Sequence, residues 1–127
     1  MIIDVSIDIE EEIRVALDPY VQAYCRPLPA SLVLPSIEIR KVGNSEKNTI
    51  NTFLVMIYAR AEIENEADEL LRMTIGLLEK IAKEQTTAIR QVTLNAGGSW
   101  TVDPVRPELA MCSATLMVVA HKSTMEV

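Results

Sequence analysis

The stretch Ile50-Asn51-Thr52-Phe53-Leu54-Val55-Met56-Ile57-Tyr58-Ala59-Arg60 decides how this chain of 127 residues folds. Its β-branched and aromatic content marks it as a strand. Phe53, Val55, Ile57 and Ala59 point to one side, and Leu54, Met56 and Tyr58 to the other. A strand with one solvated face alternates apolar with polar residues, and this one is apolar on both. Either it is the middle strand of a sheet covered on both sides, or another copy of the protein covers its second face.

A long helix, about 64–84, follows at once. Ile63, Ala67, Leu70, Leu71, Thr74, Leu77, Leu78 and Ile81 recur at three- and four-residue spacing, the mark of one buried helical face. Asn65 is the expected N-cap, with Asp68 reaching back to it. Glu66, Asp68 and Glu69 at the start and Lys80 and Lys83 at the end suit the helix dipole.

Before the central strand, Ile3, Val5, Ile7 and Ile9 alternate with Asp4, Ser6 and Asp8. Asp8 and Glu11 also form a capping-box pattern, and Ile9, Ile13, Ala16 and Leu17 keep helical spacing. The favoured reading is an extended arm (1–8) leading into a helix over about 9–17, ended by Pro19. The alternative makes the arm the helix's first turns. Tyr20–Cys25 reads as a short strand, and Pro27, Pro29 and Pro35 mark a stiff loop. Ser36–Val42 reads as a half-exposed strand with Glu38 and Arg40 on its wet face, and residues 43–49 as a polar hairpin loop.

After the long helix, Thr86–Asn95 reads as a strand, and the paired glycines of Asn95-Ala-Gly-Gly-Ser99 as a turn. Trp100–Val102 then pairs back before Asp103-Pro-Val-Arg-Pro107. The last element, Glu108–Lys122, is again apolar on both faces. Hairpin connections make the sheet mostly antiparallel. The expectation is one α+β domain over 1–127, with four to five strands packed against the long helix and the shorter N-terminal one.

Composition narrows the function. Apolar residues form 49% of the chain, enough for a packed core and too many for disorder. One Phe, one Trp and three Tyr leave little for base-stacking platforms, and a net charge of −6 speaks against binding phosphate backbones. Sequence-specific nucleic-acid binding is therefore not expected. Cys25 and Cys112 read as two buried thiols, with a single disulfide as the alternative. Residues 1–12 do not form a signal peptide and no apolar run reaches spanning length, so neither secretion nor membrane insertion is expected.

The search for chemistry returns little. His121, the one histidine, has no nucleophile or metal-ligand spacing around it and reads as a strand-end residue. Glu10-Glu11-Glu12 points three ways around a helix and reads as a solvated first turn. The glycines at 97 and 98 do not open a helix, so they lack the context of a phosphate loop. Asp103 reads as a turn former beside Pro104, the sharper reading being a catalytic acid. No catalytic, cofactor-binding or metal-binding residues are assigned, and the expectation is a protein that is not an enzyme. What remains is surplus apolar surface, which points to self-association.

The order of elements resembles the tail terminator (tail completion) and head–tail neck proteins of long-tailed phages and prophages. The resemblance is carried by the early helix ending at Leu17, the strand Tyr20–Cys25, and the prolines leading into Ser36-Ile-Glu-Ile-Arg40. It continues through the polar hairpin, Phe53-Leu-Val-Met-Ile-Tyr58, and Glu64-Asn-Glu-Ala-Asp-Glu-Leu-Leu71 opening the long helix. It covers most of the chain as order and texture, without a short diagnostic motif. The resemblance implies a homo-oligomeric ring, typically a hexamer, that caps the tail tube and presents the head-joining surface. Its partners would be other copies, the tail tube protein and head–tail connector proteins. It would work in the host cytoplasm during assembly and in the virion tail or neck afterwards. Six such subunits would carry a charge of about −36, which an acidic lumen could use to repel passing DNA. The expected contact residues are Gly43, Asn44, Ser45, Glu46 and Lys47 of the hairpin and Leu54, Met56 and Tyr58 of the central strand. The alternatives are a small oligomeric ligand-binding or regulatory α+β domain and an enzyme whose site forms between subunits.

Overall fold

The computed structural model describes residues 1–127. In chain order the elements are β1 (Ile2–Val5), α1 (Ile9–Leu17), β2 (Ala23–Cys25), β3 (Ser36–Lys47), β4 (Ile50–Ala61), α2 (Glu64–Glu84), β5 (Ile89–Val102), β6 (Ala110–His121) and β7 (Ser123–Glu126). The main sheet has five strands in the order β2-β3-β4-β6-β5. All its ladders are antiparallel except β2–β3. The α+β architecture expected from the sequence is the one observed, with a separate two-stranded ribbon, β1–β7, added to it.

Both helices form as their sequences dictate. Asp8 caps α1, its side chain accepting from the Glu11 N–H at 3.3 Å, and the helix ends just before Pro19. α2 starts at Glu64 with Ile63 in the cap position and no side-chain cap bond, so Asn65 lies inside the first turn and is not the cap. The cause is the extended backbone at Ile63, which brings the chain off β4 straight into the helix. At the other end Gln85 takes a left-handed φ of 58° and terminates it.

Ala67, Leu70, Leu71, Thr74, Leu78 and Ala82 form the buried face of α2. All but Thr74 share one cluster with Ile9, Ile13 and Leu17 of α1 and with Phe53, Val55, Ile57, Leu116 and Val118 of the sheet. Both helices therefore lie on the same side. α1 leaves the second face of the sheet uncovered, its apolar stripe turning toward β2, β3 and α2.

Two loops expected from the sequence are strand. Gly43–Lys47 continues β3, and the hairpin turn is only Asn48-Thr49, Asn48 having a φ of 56°. Polar residues serve there because the hairpin's far end is exposed, so no apolar alternation is needed to hold it in the ladder. Asn95–Ser99 is likewise no turn. It lies within β5, where the register against β6 slips between Leu94 and Ala96 and again between Ala96 and Ser99. The glycines relax bulges instead of reversing the chain. β2 is shorter than Tyr20–Cys25, because Tyr20 and Val21 still close the turn after α1 through bonds to the Leu17 carbonyl.

Candidate functional site

The register of the sheet puts each residue on a definite face. On the helix side Phe53, Val55, Ile57 and Ala59 of β4 pair with Val118, Leu116, Ala114 and Cys112 of β6, and all are buried. On the other side Thr52, Leu54, Met56 and Tyr58 pair with Val119, Met117, Thr115 and Ser113. No helix covers this second face. Leu54 is 38% exposed, while Met56, Tyr58, Met117 and Val119 are half-buried by one another and by their strand neighbours.

Toward the Ser36 end of β3 the open face changes from apolar to ionic. Arg60 is 7% exposed and lies between two carboxylates: its Nη1 donates to Glu38 Oε1 at 2.8 Å and its Nε to Asp103 Oδ2 at 2.7 Å. Arg40 closes the row, donating from Nη2 to Glu38 Oε2 at 2.7 Å, with its guanidinium 5.2 Å from the centre of the Tyr58 ring. Glu38, expected on the wet face of its strand, is only 1% exposed. Two loops fold over this end and bury it. Arg106 Nη2 donates to the carbonyls of Pro29 and Ala30, latching residues 103–109 onto the proline loop.

Asp103 has two tasks. One oxygen holds Arg60, and the other accepts from the N–H groups of Val105 (2.9 Å) and Arg106 (3.3 Å), the turn-forming role read from its sequence. Burial works against its charge. The Val105 N–H, the Arg60 side chain and the Arg106 N–H outweigh that, and the carboxyl is held below its ordinary range. Between the loops and the sheet lies a cavity of about 470 Å3, lined by Leu28, Pro29, Arg40, Tyr58, Arg60 and Arg106 among others. Its walls combine an aromatic ring with three guanidinium groups and two carboxylates.

A different polar knot forms at the hairpin end. Asn51, fully buried, donates from Nδ2 to Ser6 Oγ (2.8 Å), Glu46 Oε1 (3.1 Å) and Asn44 Oδ1 (3.2 Å). Its own Oδ1 accepts no hydrogen bond. The amide, followed by the Lys122 ammonium 3.6 Å away, lowers the Glu46 carboxyl's pKa. This knot, with the Lys122 N–H donating to the Thr49 carbonyl at 2.9 Å, ties the base of the terminal ribbon to the sheet.

Of the expected contact residues, Leu54, Met56 and Tyr58 share the open face, and Gly43 sits beside them as the partner of Leu54. A Cβ on Gly43 would meet Leu54 Cβ at 3.4 Å, an ordinary van der Waals contact, so space alone does not demand a glycine there. Ser45 and Lys47 share that face by register with Thr52 and Ile50, whereas Asn44 and Glu46 turn to the helix side with Phe53 and Asn51. The eight are thus not one patch. Reading the sequence missed the Glu38–Arg60–Asp103 cluster. Its one local sign is a charged residue, Arg60, closing an otherwise apolar strand.

Cys25 and Cys112 are free thiols, Cys112 buried and Cys25 only half-buried. Burial, reinforced by the charges of Glu10 and Glu11, pushes the Cys25 thiol up to about 11, which leaves it protonated at neutral pH. His121 lies exposed at the end of β6. No group of three potential metal ligands comes together, and no helix is long and apolar enough to cross a membrane. No protein-family model matches the chain, and no curated protein matches it either.

Proposed function

We propose that this protein is a structural, self-assembling component of a phage or prophage tail. It forms a terminator-like ring that caps the tail tube and provides the head-joining surface, with no catalytic role. The observation that carries this reading is the one-sided sheet. Leu54, Met56, Met117 and Val119 form an apolar band on long central strands with no helix over them. Soluble monomers seldom leave such a band open, and a second protein surface closes it. The order helix, strand, proline loop, strand hairpin, long helix, strand pair is the order seen in tail terminators, and it supports the more specific part of the reading.

Light scattering on the purified chain, with negative-stain images of the same sample, tests it. The expected result is a closed ring, typically of six subunits, in equilibrium with monomer. A compact dimer at every concentration rejects the ring.

A second reading has an observation of its own. The cavity of about 470 Å3 over Arg40, Arg60 and Tyr58 has the size and mixed lining of a small-ligand site, as a ligand-binding or regulatory domain requires. Native mass spectrometry separates the two, because a dimer that retains a small anionic molecule favours this second reading.

A further inference from the structure

The two edges of the main sheet differ. β2 and β5 are the outer strands. β2 covers β3 only from Ile37 to Ile39, and beyond it the Lys41 N–H donates to Glu10 Oε2 of α1 at 2.8 Å, so the outer edge of β3 is free from Val42 to Lys47. Arg40 and Lys41 stand just before that free segment and Glu46 and Lys47 at its end, with a bulge between Lys41 and Gly43, the usual protections of an exposed edge. β5 is less guarded. From Gln91 to Val102 it has no charged residue and no proline, every side chain from Thr93 onward is exposed, and Leu94 and Trp100 are each 49% exposed. An uncharged edge of this length is a template for another strand.

Strand direction selects which one. β3, β4, β6 and β5 alternate in direction, so β5 runs antiparallel to β3. A second copy in the same orientation would present its free β3 edge antiparallel to β5, continuing the ladder from sheet to sheet. At matched height, Leu94 stands level with Lys41, because Leu94 pairs with Leu116, Leu116 with Val55, and Val55 with Lys41. Below that level the neighbour's β2 stands one strand further out, and β5 must step aside. Its two register slips, at Leu94–Ala96 and Ala96–Ser99 with Gly97 and Gly98 between, fall at that level. Edge to opposite edge is a heterologous contact, the kind that propagates and can close into a ring.

We propose that the β5 edge of one copy pairs antiparallel with the free Val42–Lys47 edge of β3 in a second copy, making the sheet continuous between subunits. This rests on the self-association proposed above and adds the element that gives assembly its direction. Leu94 lies on the helix side of β5, away from the open face, so it tests the edge alone. Leu94→Lys sets a lysine beside the neighbour's Lys41, where the Glu10 carboxylate is already paired with Arg26, and Leu94→Glu sets a counter-charge to Lys41. By light scattering, the glutamate variant is expected to associate about tenfold more tightly than the lysine variant. Hydrogen exchange across the concentration of assembly should slow in both 91–96 and 42–47 of the intact chain.

Equal association of the two variants overturns the proposal, as does slowing in 91–96 without 42–47, the pattern of β5 paired with itself. If assembly shields Met56 and Met117 from peroxide while leaving both edges in fast exchange, the open-face reading stands and the edge proposal falls. A chain monomeric at millimolar concentration overturns both.

Discussion

The two faces of β4 and β6 are cut from the same residues in alternation, yet they have opposite characters. Toward the helices, Phe53, Val55, Ile57, Leu116 and Val118 are fully buried in one cluster with α1 and α2. Toward the open side, the intervening residues are half-covered over the apolar band and then give way to the Glu38–Arg60–Asp103 cluster beneath two loops. The chain thus builds its core on one side of the sheet and leaves the other half-open. A buried ionic cluster is weak support for stability, since desolvating its charges offsets most of their attraction.

Phe53→Ala should cost about 3–5 kcal/mol in urea unfolding, because it empties the centre of the helix-side core. Arg60→Ala should cost about 3–5 kcal/mol as well, for a different reason: it leaves Asp103 buried without its counter-charge and Glu38 with Arg40 alone. Replacing Glu38, Arg60 and Asp103 together by apolar residues of similar volume should cost much less than Arg60→Ala alone in the same assay. Equal losses would mean that the cluster contributes to stability in its own right.

Acid sharpens the contrast. The Asp103 carboxyl titrates lower in the folded than in the unfolded chain, so its contribution is fully present above the ordinary carboxylate range. That contribution is lost as pH falls through the folded value. Stability measured from pH 6 down to pH 2 should therefore decline more steeply in the natural chain than in Asp103→Asn. The smallest effect on folding is expected at Leu54. Leu54→Ser should change monomer stability by less than about 1 kcal/mol, because the side chain is already 38% exposed. It should nonetheless weaken self-association in light scattering, and unchanged assembly would remove the open face from the contact surface.

What was legible in the sequence follows from the range of each determinant. Asp8 and Pro19 bracket α1, and the spacing of Ala67, Leu70, Leu71, Thr74 and Leu78 carries α2, within a few residues of chain. The doubly apolar β4 was legible too, but not which face the helices take. That depends on both helices packing together. The Asn95–Ser99 reading failed because glycines serve a turn and a bulge equally, and only the partner strand β6 decides between them. The ionic cluster joins residues separated by 22 and 43 positions, and no local pattern announces such a meeting. Glu38, alternating with Ile37 and Ile39, looks solvated until two distant loops close above it.

The ribbon at the edge of the fold bears on how the chain reaches this state. Ile2 pairs with Glu126, and the Met1 ammonium donates to the Val127 carbonyl at 3.1 Å, so this contact closes the largest loop the polypeptide can make. It brings little burial, since nearly all of its residues are exposed. Loop closure of that length is entropically costly, and an isolated pair of strands is marginal in water. The ribbon should therefore zip last during folding and open first in the native ensemble, fraying from its Met1–Val127 end toward the Asn51 knot.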